Sequence, residues 1–259
     1  MTFSYKNTSV QYNSIGTGRT IVLLHGFLEN SSMWDVISES LLKKYRVVCI
    51  DLLGHGATEN HGYIHTMQEQ AEMVVGVLKH LRLRKYIVVG HSMGGYIALE
   101  ISKIVPKNIK GLCLMNSTAL PDSEEKKINR DRAIVAVKQN HKTFVRIAIP
   151  MLFSEGNRAV FTSEIKSITN EALEMSPQGI IAALEGMKIR KNRLNLFKNS
   201  KIPKLVILGK KDTILNYKLQ RSYYENSDVT IVEFPDGHMS HIENYKEFTY
   251  NIVHFIENI

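Results

Sequence analysis

Cysteine is almost missing from this 259-residue chain, and its two cysteines can build no disulfide framework. They show no metal-ligand spacing with each other or with a histidine pair. Cys49 in VVCID and Cys113 in GLCLM lie inside apolar, strand-like runs. They read as buried reduced thiols, which fits a reducing compartment. No segment approaches the roughly 20 apolar residues of a membrane-spanning helix. The opening MTFSYKNTSVQYNS has no apolar stretch of signal-peptide length and no small-residue cleavage site. The expectation is a cytoplasmic protein with no membrane partner. Concentrated charge is missing as well. The net +8 comes from 33 Lys and Arg against 25 Asp and Glu, but these are intermixed, and the longest basic pieces are KNRLNLFKNSK (191–201) and GKKD (209–212). That is a solvated basic surface rather than a nucleic-acid stripe, so no nucleic-acid partner is expected.

What the chain does have is 44% hydrophobic content and enough length to bury roughly 70–75% of its unfolded surface without a staple. No repeat or low-complexity tract is visible, so the apolar runs carry the organisation. Six runs are short, β-branched and unbroken: TIVLL (20–24), RVVCI (46–50), YIVVG (86–90), IKGLCLM (109–115), KLVILG (204–209) and VTIVEF (229–234). Strands apolar on both faces belong to a parallel sheet covered on both sides. Helical periods lie between them. Met67, Ala71, Val74, Val75, Leu78 and Leu81 recur at threes and fours, opened by a capping box of Thr66 and Glu69. Similar periods run over Met33–Leu42, Ile97–Val105 and Tyr245–Ile256. The alternation predicts a doubly wound α/β fold.

Between about Thr118 and Asn199 the alternation stops. Helical patterns fill the interval, around Ile128–Ile149, around Ala159–Leu173, and after Ser176 as cap with Pro177 in the first turn. An all-helical insertion between two buried strands is read as a lid over the sheet's C-terminal edge, where such sheets bind ligands. The bland alternative is extra scaffold. The division expected is a core of 1–117 and 200–259 with a lid of 118–199.

The chemistry-bearing signal is Gly90-His91-Ser92-Met93-Gly94-Gly95, a G-x-S-x-G that follows one predicted strand and runs into a predicted helix. Glycines on both sides permit a turn too tight for side chains, and the serine is held strained with its Oγ exposed. A serine hydroxyl needs a base to take its proton and a carboxylate to orient that base. Asp212 follows KLVILG and His238 follows VTIVEF, so both fall on the same sheet edge as Ser92. The chain order Ser, Asp, His is that of an α/β-hydrolase triad.

On these motifs the chain resembles the α/β-hydrolase fold superfamily, in its branch of small, lidded serine esterase-like enzymes, nearly end to end. The resemblance implies an eight-stranded, mostly parallel sheet with the lid inserted after the sixth strand. His25-Gly26-Phe27 resembles the family's HGF segment, which implies that the backbone N–H groups of Phe27 and Met93 form the oxyanion hole. Asp51-Leu52-Leu53-Gly54-His55-Gly56 resembles a structural D-x-x-G-x-G loop. Gly237-His238-Met239-Ser240-His241-Ile242-Glu243 resembles the base segment and selects His238 over His241. Asn244 stands where relatives often have proline.

Competing roles are bland. Asp212 could be an exposed turn residue, and some relatives keep the acid after the earlier strand, where this chain offers Asn116, with Asp122 further on. His25, His55 and His91 read as satisfied structural histidines, His241 as surface or packing, Asp236 as a turn former, and Trp34 and Met33 as packing.

The expected activity is a serine hydrolase, a carboxylesterase acting on a small-molecule ester of short to medium acyl chain through an acyl-enzyme, with no metal or organic cofactor. Serine in place of aspartate at the elbow argues against dehalogenase and epoxide-hydrolase chemistry. Thioesters, lactones, amides and carbon–carbon bonds remain open, as does the menaquinone-pathway lyase built on the same triad. That lyase carries arginine where this chain has Tyr96. Arginines of the insertion, among them Arg130, Arg190 and Arg193, are expected to face solvent for the most part. A non-catalytic small-molecule binder on the same fold is the alternative from another class. Ile134, Val137, Phe144, Leu152, Phe153, Phe161, Leu184 and Met187 are expected to divide between an apolar acyl pocket and lid core.

Overall fold

The computed structural model describes residues 1–259. Its eight strands are β1 (Thr2–Tyr5), β2 (Thr8–Ile15), β3 (Arg19–Leu24), β4 (Tyr45–Ile50), β5 (Tyr86–His91), β6 (Ile109–Met115), β7 (Lys204–Gly209) and β8 (Thr230–Phe234). They form one sheet in the order β1-β2-β4-β3-β5-β6-β7-β8. β1 and β2 pair antiparallel, as do β2 and β4, and every other pairing is parallel. The six apolar runs match β3 to β8 within a residue or two. The first two strands left little mark on the sequence because Ser, Gln, Asn and Thr alternate through them. Their turn is clearer in structure: Lys6 and Asn7 both take positive φ, 48° and 65°, the geometry of a tight hairpin whose twist matches its strands.

The helices are α1 (Asp35–Leu41), α2 (Met67–His80), α3 (Met93–Ile104), α4 (Glu124–Ala148), α5 (Thr162–Leu173), α6 (Pro177–Lys188), α7 (Leu194–Asn199), α8 (Tyr217–Tyr224), α9 (Ser240–Glu243) and α10 (Tyr245–Glu257). The side-chain caps expected at Thr66 and Ser176 form. Thr66 Oγ1 accepts the Glu69 N–H at 3.0 Å, and Ser176 Oγ accepts that of Gly179 at 3.0 Å. Only half of the capping box forms, since the Glu69 carboxylate turns outward to Lys6 at 2.7 Å.

Alternation along the central strands sorts the core into two layers. Val22, Leu24, Val48, Ile50, Val88, Leu112, Leu114, Val206 and Leu208 point to the face covered by α2 and α3. Ile21, Leu23, Val47, Cys49, Ile87, Val89, Cys113, Met115, Leu205 and Ile207 point to the other, against Trp34, α1 and α10. Strand period two, with both sets apolar, is why the runs are unbroken in sequence. Burial pushes the Cys49 thiol up to about 12 and raises that of Cys113, leaving both protonated and inert.

From β6 to β7 the chain forms no strand and runs through α4 to α7, with short 3₁₀ turns at Pro150–Leu152 and Glu155–Asn157 and loops between. α4 is kinked at Asn140, whose backbone leaves the helix at φ −160°, ψ 92°. Ile134, Val137, Leu184 and Met187 join the core layer shared with α2 and α3, and Phe153 is fully buried, while Phe144, Leu152 and Phe161 stay half-buried. Arg190 departs from a solvent-facing role. It is 8% exposed, lies 4.1 Å over the Tyr96 ring, and pairs with Asp122 at 2.6 Å. Arg130 reaches the same carboxylate, and Arg193 grips Glu100 on α3 at 2.8 Å. The Asp122 pairs lie within the insertion, while Arg193 on Glu100 and Arg190 over Tyr96 fasten it to α3 of the core.

No helix is long and apolar enough to cross a membrane.

Candidate active site

Parallel strands bring their C-terminal ends to one edge, and every candidate residue lies just beyond one. Phe27 follows β3, Ser92 follows β5, Asn116 follows β6, Asp212 follows β7 and His238 follows β8.

Ser92 sits between β5 and α3 with φ 48°, ψ −112°, a strained backbone for a residue with a side chain. The turn is locked at both of its ends. The Ser92 N–H donates to Met115 O at 2.9 Å, while its carbonyl accepts the Gly95 N–H at 3.0 Å and the Ser117 hydroxyl at 2.7 Å. A Cβ at Gly90 would run into the carbonyl of Gly94, and one at Gly94 into that of Leu24, which is the physical reason both are glycine. Ser92 itself is half-buried.

His238 Nδ1–H donates to Asp212 Oδ2 at 2.7 Å, with both side chains 2% exposed. Oδ1 of Asp212 accepts the N–H groups of Ile214 and Leu215 at 2.8 and 2.9 Å, and Asn116 Nδ2 reaches Oδ2 at 3.2 Å. Burial alone would raise this carboxyl, but the imidazole and the backbone donors outweigh it and hold the group below its ordinary value. The Asp212 carboxylate therefore stays ionised beside the ring. Asn116 thus occupies the position after β6 as a donor to Asp212, while Asp122 lies among the arginines of the insertion.

The N–H of Phe27 donates to no protein acceptor, and Met93 opens α3, where a first-turn N–H has no partner inside the helix. The loop after β3 that carries Phe27 is shaped by Leu28, at φ 65°, and by Glu29, whose Oε2 accepts the Gly26 N–H at 2.6 Å.

The other histidines divide. His25 Nε2 accepts the Leu52 N–H at 2.9 Å, so its Nδ1 carries the proton and donates to Gly26 O at 2.8 Å. His55 Nδ1 donates to Leu53 O at 3.0 Å, and burial pushes its pKa down to about 3. Both are structural. His241 is buried against Trp34 and Phe248 rather than on the surface. Asp51 anchors its loop by accepting the Ser31 and Ala57 N–H groups at 2.8 and 2.9 Å. Asn244 bonds Asp236 at 2.9 Å, a contact that proline could not make.

Two residues that bear on the site drew no role from the sequence. Glu29 is one. Glu243 is the other: its Oε1 accepts Ser154 N, Ser154 Oγ and Asn157 Nδ2 at 2.8, 2.8 and 3.0 Å, and its Oε2 accepts Gly237 N at 3.0 Å. One carboxylate so ties the helical insertion to the loop of His238. The His238 N–H adds a bond to Leu152 O at 2.8 Å. No sequence pattern marks a carboxylate that gathers donors from 89 positions away.

A serine held at positive φ and a buried Asp–His pair thus lie past strands on the same C-terminal edge of this sheet. The family model of the alpha/beta hydrolase fold matches residues 19–245, and the chain belongs to that family. Among its relatives is the pimeloyl-[acyl-carrier protein] methyl ester esterase of Pseudoalteromonas atlantica, 30% identical over 91% of this chain and 92% of that protein. An esterase from Thermogutta terrifontis superposes with a TM-score of 0.90 at 28% identity, covering 99% of this chain and 96% of that one. The enol-lactonase of Burkholderia xenovorans LB400 shares the fold at a TM-score of 0.91 and 22% identity, covering 99% and 100%.

Proposed function

We propose that this protein is a serine hydrolase that cleaves small carboxylic esters of short to medium acyl chain through an acyl-enzyme. The observation that carries the reading is the 2.7 Å His238–Asp212 bond at the sheet edge where Ser92 is held at positive φ. His238 takes the proton of Ser92 as Oγ attacks the carbonyl carbon, and Asp212 fixes the ring's tautomer and stabilises its cation. The Phe27 and Met93 N–H groups meet the oxyanion; losing one such donor typically costs about 10²–10³ in rate. His238 then protonates the leaving alcohol, and a water deprotonated by the same ring releases the acid. None of these steps calls for a metal or an organic cofactor.

Residues 118–199 act in this reading as a lid on a core of 1–117 and 200–259, supported by the Glu243 and Leu152 bonds to the base loop. Half-buried Phe144, Leu152 and Phe161 are the candidates for the acyl pocket. Esterase relatives support an ester over the other acyl substrates. Arg190 does not favour the lyase, because Asp122 already neutralises its charge.

The test is a p-nitrophenyl ester series of increasing acyl length on the wild type and Ser92→Ala. The variant should fall to background with an unchanged melting temperature. Retained turnover would remove Ser92 as nucleophile. If the wild type turned over no ester while a small molecule raised its melting temperature, a binding protein would be the correct reading.

A further inference from the structure

The proposed acyl transfer leaves one buried charged pair without a task. Glu29 and His91 are 5% and 1% exposed, and burying two charges is costly unless their geometry repays it. Their bonds form a chain. Glu29 Oε2 accepts the Gly26 N–H at 2.6 Å and His91 Nδ1–H at 2.7 Å, and His91 Nε2–H donates to the backbone oxygen of His238 at 3.0 Å. Both ring nitrogens of His91 face atoms that can only accept, so the ring satisfies both only as the cation. Burial opposes that charge, yet Glu29 outweighs it and raises the pKa of His91, and His91 in turn holds Glu29 below the ordinary carboxylate range.

The anchored points are telling. Gly26 precedes Phe27, His91 precedes Ser92, and His238 is the base itself. Resting on the acyl-transfer reading, we propose that Glu29 and His91 are positioning residues, a charge-assisted strut that joins the oxyanion loop, the nucleophile elbow and the main chain of the base. The three groups come from loops after β3, β5 and β8, and neither the sheet nor the Asp212 contact sets the spacing of all three. Fixing the Gly26 amide limits the tilt of the Phe27 N–H. Fixing the His238 carbonyl keeps the imidazole in place while its charge appears and disappears. Charge-assisted bonds suit that task because they are short and directional, and misplacement of a reacting group by about 1 Å can cost 10²-fold in rate.

The test compares His91→Asn, whose amide reaches only toward Glu29, with His91→Gln, whose amide reaches toward the His238 carbonyl. Glu29→Gln is added as a neutral variant of nearly the same shape. Rates are expressed per active site, counted by fluorophosphonate titration, so that loss of folded protein does not mimic loss of chemistry. His91→Asn should lose on the order of 10²-fold in kcat with KM within about twofold, and His91→Gln should recover much of it. The second readout is the far-downfield proton of His238 Nδ1 by NMR, which should shift in His91→Asn and Glu29→Gln. If the wild type takes up no fluorophosphonate and cleaves no ester, the acyl-transfer reading fails, and the His238 resonance alone then decides. Unchanged kcat per site or, in that case, an unmoved resonance in His91→Asn and Glu29→Gln overturns the strut.

Discussion

The side-chain amide of Asn116 donates to Asp212 Oδ2 at 3.2 Å, the same oxygen that receives the His238 ring at 2.7 Å. A residue just past β6 thus touches the carboxylate supplied after β7. Asp212→Asn should lose about 10⁴-fold in kcat, since the neutral amide neither fixes the tautomer nor balances the imidazolium. Adding Asn116→Asp to that variant returns a carboxylate to the same neighbourhood and should recover tenfold or more, on the order of one charge-assisted bond. Steady-state kinetics on an activated ester decide it; a double variant no faster than Asp212→Asn would place Asn116 outside reach of the base.

The glycines of the elbow make a stability prediction. Gly94→Ala drives a Cβ into the Leu24 carbonyl, where rigid backbone of β3 cannot yield. The cost should reach about 3 kcal/mol or more, in the upper range for overpacking. Urea titration checks it, and a midpoint within experimental error of the wild type would show that β3 and α3 can separate.

Glu243 ties the insertion to the base loop through bonds to Ser154, Asn157 and Gly237. Glu243→Ala leaves several buried donors without a partner, at about 1–3 kcal/mol for each that water cannot reach. The variant should melt lower and be cut by protease near 150–160 sooner than elsewhere. Unaltered proteolysis there would mean that other contacts suffice to hold the insertion down.

Acid should weaken the fold below about pH 6.5, the ordinary value for histidine. Burial pushes His55 and His241 down to about 3, His65 to about 4, and lowers His25. A histidine held neutral in the fold binds its proton first in the unfolded chain, so stability drains away between about 6.5 and the depressed values. His91 has the opposite sign: its raised pKa adds stability at low pH that is lost as pH rises through its folded value. Four against one leaves a net loss in acid. His241 Nδ1 has no partner and its ring packs on Trp34 and Phe248. His241→Phe should therefore gain about 2 kcal/mol at pH 5 relative to its effect at pH 7.5. Melting curves that stay parallel across that range would contradict the assignment.

Much of this molecule can be read without coordinates, and the reasons are local. β3 to β7 announce themselves because both faces of each are largely buried, which makes them continuous apolar runs, and the half-buried edge strand β8 keeps enough of that pattern to be read. The elbow announces itself because Gly90 and Gly94 meet backbone that admits no side chain. The caps at Thr66 and Ser176 are contacts within three residues. Ser92, Asp212 and His238 stand out as candidates because each is the right residue type just past a strand, with the family resemblance choosing His238 over His241. What only the tertiary structure decided is every partner chosen across the fold. The hairpin of β1 and β2 is polar by alternation and acquires its identity by pairing. Arg190 looks like any solvated arginine until Asp122 and Tyr96 close around it. Glu29 matches no motif, and neither the base segment that ends in Glu243 nor the place of Asn116 after β6 tells which groups their side chains meet. Their roles come from donors delivered by distant loops, and a hydrogen bond of that kind leaves its mark on geometry rather than on the order of residues in the chain.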